Sequence, residues 1–400
     1  MKIATFKDFI DFLNEEVKLT HLEHIEDLII IDGINGAKTA IQFLRENINV
    51  LTGTSDLVIQ GKMDGAPAII AGTNPENGKF FVATKSLFNK TPKINYTNED
   101  IERNHEGNLV EKLKIALAEL PKLQFKGILQ GDMLFDQSIL RKESIDGIKY
   151  VTFRPNTITY AVPENSELAK KILKAKIGMA WHTTYTGTKI ENLSANFHID
   201  ISSHKETSDI FNTDTNLKIN NILMSEDEAN EINLKLDELE KDLKNFSKED
   251  LLIIRNNKEI ILTYINSKVR EGETVSNTMV KGMFDFINNK FEKEKLKLKS
   301  DAGKDKKDLA KKEKNLEFRE IAGTLWYVLK FHIEIQDIKI RIVKILDNVK
   351  SMETFVETPE GYKVTTPEGY VAIDKLKGGA VKLVDRLEFS KNNFNIIKNW

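Results

Sequence analysis

No cysteine occurs in the 400 residues. That excludes disulfides, thiol catalysis and cysteine-ligated zinc, and it fits a reducing compartment. Long apolar runs are missing too. The longest stretches, such as Leu28–Ile31, fall far short of the ~20 apolar residues that span a bilayer. The N-terminal MKIATFKDFIDFLNEE places acidic residues where a secretory signal needs an apolar core. A bias of charge is absent as well: 59 basic against 61 acidic residues give a net −2. Any nucleic-acid contact therefore has to come from a local basic surface. These absences predict a soluble, cytoplasmic protein without membrane association. What is present is ordinary for a globular chain, 40% hydrophobic and 30% charged. The length predicts one large domain with a substantial addition, or two domains.

Periodicity divides the chain further. Residues 1–55 read as helical: Phe6, Phe9, Ile10 and Leu13 share one face, and further helices cover Leu22–Ile31 and Ala37–Asn47, around the Gly33 and Gly36 breaks. From 56 to 205 the pattern is α+β. Short apolar runs at Asp56–Gln60, Ala68–Ala71, Phe80–Ala83, Gly127–Leu134, Tyr150–Phe153, Thr157–Ala161 and Ile177–Thr184 predict strands. Asn74–Gly78 predicts a hairpin loop and Leu109–Leu120 a helix. Residues 206–354 read as a helical insertion large enough to be a separable unit. At 355–400 strand texture returns, with Gly361–Val364, Gly369–Ile373 and Gly379–Val384.

The strongest chemical signal is Gly61-Lys62-Met63-Asp64-Gly65. A lysine at a strand end, followed by Asp-Gly in a tight turn, presents its amine at a sheet edge. Such an amine attacks phosphorus only when neutral, a state that lysine reaches and arginine does not. The bland reading is an exposed hairpin lysine. Residues that follow in order strengthen the chemical one: Thr84-Lys85-Ser86, Gly131-Asp132, Ile158-Thr159-Tyr160-Ala161, Pro367-Glu368-Gly369-Tyr370-Val371 and Ala380-Val381-Lys382-Leu383.

This series, over about Leu57–Thr184 and Gly361–Arg386, resembles the covalent nucleotidyltransferase superfamily of ATP-dependent DNA ligases, RNA ligases and mRNA capping enzymes. The Glu-Gly-Tyr-Val form at Glu368, with Lys382 soon after, is most similar to phage RNA ligases. Lys62–Pro67, Phe80–Tyr96 and Val381–Asn392 also resemble an uncharacterised family of large tailed phages, which would put the protein in a host cytoplasm. The resemblance implies a ligase-type core of antiparallel sheets flanked by helices. It implies a reaction with ATP and magnesium (or manganese) through a lysyl-AMP at Lys62, ending on a polynucleotide with 5′-phosphate and 3′-hydroxyl ends, RNA foremost. By the same likeness Lys382 meets the α-phosphate and Glu368 and Asp132 serve the metal. Gln60, Asp64, Gly65, Lys85, Asp132 and Tyr160 bind the nucleotide, Tyr160 by stacking on adenine.

The chain departs from the pattern in three places. Asp132 stands where relatives have Glu, and Ala380 where they have the first Lys of Lys-x-Lys. Only eighteen residues follow Lys382, which predicts a core without a C-terminal OB domain. Transfer to a protein or cap, or nucleotide binding without transfer, stay open as alternatives. Asp132 also reads as a strand-end acid and Tyr160 as core. Glu360 is a decoy for Glu368, because both lie in Thr-Pro-Glu-Gly-Tyr. His21 and His24 read as packing histidines or as metal ligands at helical spacing. His182 reads as a strand residue at the pocket rim. The Lys290–Lys314 run reads as a solvated face or a nucleic-acid contact.

Overall fold

The computed structural model describes residues 22–54, 58–197, 199–217, 219, 221–349, 352–358, 361–365, 368–373 and 380–388. The helix expected at residues 6–13, and with it His21, Leu57, Glu360 and Pro367, lie outside the described residues.

The first long helix, α1 (Leu28–Leu51), is broken at Asp32–Gly33, where Gly33 takes φ 59°, a conformation glycine adopts without steric cost. Strands β1 (Val58–Lys62), β2 (Ala68–Thr73) and β3 (Phe80–Ala83) follow. Next come α2 (Asn98–Asn104), closed by a Thr97/Asp100 capping box, and α3 (Asn108–Glu119). Then come β4 (Ile128–Asp136), β5 (Arg141–Ile145), β6 (Ile148–Phe153), β7 (Thr159–Pro163), α4 (Glu167–Lys174), β8 (Ile177–Thr186), β9 (Ser194–Asn196) and β10 (Ile210–Asp214). The helical stretch holds α5 (Glu226–Asp242), α6 (Lys248–Asn256), α7 (Lys258–Arg270), α8 (Met279–Lys295), α9 (Asp301–Glu320) and α10 (Ala322–Leu346). The chain returns through β11 (Glu353–Thr358), β12 (Gly361–Val364), β13 (Gly369–Ile373) and β14 (Ala380–Leu383). Serines at 166, 225, 247 and 300 accept a backbone N–H at the starts of α4, α5, α6 and α9. Each such cap contributes about 1 kcal/mol.

The result is a mixed α+β fold, with largely antiparallel sheets flanked by helices and a large helical insertion. A three-stranded sheet runs β1-β13-β14. A six-stranded sheet runs β10-β8-β4-β2-β3, with β9 on the free end of β8. A five-stranded sheet runs β12-β11-β7-β6-β5. All pairings are antiparallel except β10 with β8.

The insertion is narrower than expected and is not segregated. Residues 210–214, expected inside it, form β10 and pair with β8, while β11 starts at Glu353 and pairs with β7. Its helices share one core with α1 and with the small sheet: Ile41, Leu44, Ile254, Ile335 and Ile342 pack in the same cluster as Ile59, Tyr370 and Leu383. Burial of α1 against these helices overrides the sequence impression of a self-contained unit. Among the described residues no helix is long and apolar enough to cross a membrane.

Candidate functional site

Strand alternation builds the site. In the small sheet Ile59, Ala372 and Val381 are in register, as are Gly61, Tyr370 and Leu383, and all of these but the glycine send side chains into the helical core. The opposite face therefore carries Gln60, Val371 and Lys382 in one row and Lys62 beside Gly369 in the next. In the large sheet Leu129 and Met133 pack against α3, so Gln130 and Asp132 point the other way. Between these two faces lies a cleft of about 410 Å³, lined by Gln60, Lys62, Lys382, Gln130, Asp132 and Lys85 among others. That volume lies within the ordinary range for small-molecule sites.

Charge in the cleft is mainly positive. Lys62 Nζ forms an ion pair with Glu368 Oε1, and the Glu368 side chain is only 10% exposed. Burial pushes the Glu368 carboxyl above its ordinary value, against the pull of Lys62. Burial, and then the neighbouring Lys62 ammonium, hold Lys382 below its ordinary value. The backbone N–H of Lys382 donates to Glu23 O at 3.0 Å, which ties β14 to the segment before α1. Lys85 is exposed at the end of β3, where Thr84 accepts the Ser86 N–H.

A bulge shapes the other wall. Gln130 pairs with Thr183 but Gly131 with Trp181, leaving His182 as the extra residue on β8. His182 and Thr183 consequently both line the cleft, although consecutive strand residues ordinarily face opposite ways. His182 Nε2 lies 3.8 Å from Asp132 Oδ2 and its Nδ1 2.7 Å from Thr183 Oγ1. Tyr185 donates its hydroxyl to Gln130 Oε1 at 2.6 Å. The Gln60 amide donates to Phe197 O at 3.0 Å and Asn216 Oδ1 at 3.2 Å.

Gln60, Lys62, Lys85, Asp132 and Lys382 thus meet at one cleft, with Glu368 attached through Lys62. Tyr160, Asp64 and Gly65, expected at the nucleotide, are not among the residues that line the cleft. Tyr160 is 2% exposed and its ring stacks on Phe153 at 5.4 Å, leaving no face for a base. Its hydroxyl instead accepts the Asp64 N–H at 2.7 Å. The Asp64 carboxylate accepts the N–H groups of Thr157 and Ile158 and the Asn156 amide, at 2.7–2.8 Å, so it ties the turn before β7 to the end of β1. Gly65 is a spacer: a Cβ there would lie 2.5 Å from Asp132 Cβ. The Asp-Gly pair therefore positions Lys62 against Asp132. His24, the other candidate ligand, is half-buried, forms a β-bridge with Lys382, and leaves Nδ1 unpartnered.

Among the described residues no three His, Asp or Glu side chains converge as a metal cage. A magnesium ion held by one or two carboxylates together with substrate phosphates needs no such cage. Sequence reasoning missed Gln130, Tyr185, Phe197 and Thr215. The first two were within reach of strand alternation, while the last two sit in connections without periodic signal. A second cavity, of about 510 Å³, lies in the helical layer beside Phe246, Tyr327 and Phe331 and gathers none of the expected residues.

Fold and cleft together define an α+β protein with a lysine-rich cleft between two sheets. Residues 15–398 match the model of a family of unknown function (DUF6267), and the chain belongs to that family. No curated protein and no solved structure matches it.

Proposed function

We propose that the protein is an ATP-dependent polynucleotide ligase of the RNA-ligase type, working through a lysyl-AMP at Lys62 on a nucleotidyltransferase core. The observation that carries this reading is the meeting of Lys62, Lys85 and Lys382 with Asp132 in one cleft, beside Glu368, although the sequence spreads them over most of its length. Three cations around two carboxylates suit a triphosphate better than a neutral or cationic ligand.

In the first step Lys62 Nζ attacks the α-phosphorus of ATP. The nitrogen–phosphorus bond forms as the oxygen bond to pyrophosphate breaks, and the Glu368 carboxylate, in contact with Nζ, is the nearest acceptor for the amine proton. Lys382 offsets charge on the transferring group. A magnesium or manganese ion held by Glu368, Asp132 and the phosphates would supply further charge neutralisation. A 5′-phosphate then displaces Lys62 from AMP, and a 3′-hydroxyl displaces AMP to leave a phosphodiester.

A second reading keeps nucleotide binding without transfer. The Ala380 and Asp132 departures favour it. One measurement separates the two: mass spectrometry of the protein after incubation with ATP and magnesium. A lysyl-AMP adduct at Lys62, labile in acid and abolished by Lys62→Arg, is the expected result. Label on another residue, or undiminished label in Lys62→Arg, sinks the mechanism, and no label under any divalent metal favours binding alone.

A further inference from the structure

Charge along the chain is segregated. Residues 290–314 hold eleven lysines and six acidic residues, a local excess of +5 that leaves the rest of the chain at −7 within a net −2. The structure turns this run into the tip of the α8–α9 hairpin, and none of its residues is fully buried. Some of the lysines join the two helices: Lys295 meets Asp308 at 2.5 Å, Lys307 meets Glu294 and Lys311 meets Glu292. Lys304 and Lys314 pair within α9. With these pairs made, the acids of the hairpin are largely used.

Six lysines remain, of which Lys290 is half-buried and five project into solvent. Lys293, Lys297, Lys299, Lys306 and Lys312 are exposed, and none of them forms an ion pair among the described residues. Holding five like charges on one projecting tip costs self-repulsion that the intra-hairpin pairs do not relieve, and a polyanion would relieve it. The chemistry of the tip narrows the partner. Residues 290–314 contain no arginine, so the fork that reads guanine edges is missing. Their one aromatic, Phe291, is covered by Lys307 Nζ, 4.8 Å from the ring centroid, so no free ring offers a stacking platform. A bilayer is disfavoured: the exposed large apolar side chains of the hairpin are Leu296, Leu298, Leu309 and Leu316, scattered among its lysines and too few for an inserted apolar face. What suits bare ammonium groups spread along a helical arm is a row of phosphates. Lys306 and Lys312 stand about 9 Å apart along the α9 axis.

We propose that the α8–α9 hairpin grips the sugar-phosphate backbone of a polynucleotide without regard to sequence, an inference that rests on the polynucleotide acceptor proposed above and adds a contact site remote in sequence from the cleft. Binding of this kind is governed by counterion release. Five lysine–phosphate contacts give a log–log salt slope of about −3.5 for a single strand, which is a roughly hundredfold loss of affinity between ~50 and ~200 mM salt.

The test is fluorescence anisotropy of the full chain with labelled single strands of RNA and DNA of mixed sequence, over that salt range. Wild type should bind both with a steep slope. The fivefold variant with glutamine at 293, 297, 299, 306 and 312 should bind at least ~10-fold more weakly at low salt, with the slope largely lost. Leu296→Ser with Leu309→Ser should change neither. Equal affinity of the fivefold variant and the wild type overturns the proposal. So does capture by vesicles of phosphatidylserine, lost in the fivefold variant, without affinity for either strand. The failure of the cleft reading shows separately: Lys62→Arg removes the AMP label but not hairpin binding, and the fivefold variant labels with ATP like the wild type.

Discussion

Lys382 and Glu368 hold their charges at a cost. Burial raises Glu368 and lowers Lys382, so for each of them the site favours the neutral form more than water does. The sign follows for each. A carboxyl raised by folding stabilises the fold while protonated, and that contribution is lost as pH rises through its raised value. An ammonium lowered by folding costs stability everywhere below its lowered value. Glu368→Gln and Lys382→Met should therefore each stabilise the protein at neutral pH, by roughly 0.5–2 kcal/mol, while impairing the AMP label. Thermal melts at neutral and acid pH check this. The gain from Glu368→Gln should disappear in acid, where the wild-type carboxyl is itself protonated; a loss of stability at neutral pH would mean that its pair with Lys62 is structural. At this scale the sequence was informative where strand alternation governs. Gln60 and Lys62 share a face because they are two apart, and Lys382 joins them through register. It put Asp64 at the nucleotide and gave no sign of its structural partners, which lie 92–94 positions away, and it was misleading on Tyr160, because burial of a strand aromatic is settled by the layer packed over it.

Among the elements, α10 is joined to the segment before α1 by ions and not only by apolar packing. Lys339 Nζ donates to Glu26 Oε1 at 2.7 Å, His332 Nε2 lies 3.0 Å from Asp27 Oδ1, and Arg386 pairs with Asp27. Burial alone would raise both carboxyls, but Lys339 and Arg386 outweigh it for Glu26, and Arg386 and His332 for Asp27, holding each at about 2. These are depressed values, so their stabilisation is present above the ordinary 4.5 and 3.8 and is lost as pH falls from there towards 2. Lys339→Met should cost about 3–5 kcal/mol by stranding a buried carboxylate, and adding Glu26→Gln should recover much of that loss. Urea midpoints from neutral pH to pH 3 measure both effects. An additive double variant would show that the two groups do not act as a pair. Helical spacing places His332, Ile335, Lys339 and Ile342 on one buried stripe. A lysine there announces a missing partner, but only the folded chain brings Glu26, 313 positions away, to meet it.

For the molecule as a whole, the small sheet decides what can be removed. One face of β1-β13-β14 enters the helical core and the other lines the cleft, so the insertion supports the cleft from behind. Sequence texture suggested that residues 206–354 form a unit to be excised, because every expected site residue falls outside them. Shared burial contradicts that. Nine large apolar side chains of α1 are buried, worth about 1.5–3 kcal/mol each, and much of their cover comes from α6 and α10. Against a total stability of about 5–15 kcal/mol, uncovering even half of them, about 7–14 kcal/mol, is comparable with the whole margin. Replacing residues 226–346 with a linker should therefore give a chain that does not fold, with no cooperative thermal transition and no AMP label. Replacing only residues 291–313 with a short turn removes no buried residue, and should leave stability within about 1 kcal/mol and labelling unchanged while abolishing polynucleotide binding at the hairpin. Circular dichroism melts and adduct mass spectrometry on the two deletions decide the matter. A folded, ATP-labelled chain lacking 226–346 would show that the cleft stands without the helical layer, and that the core it shares with α1 is dispensable.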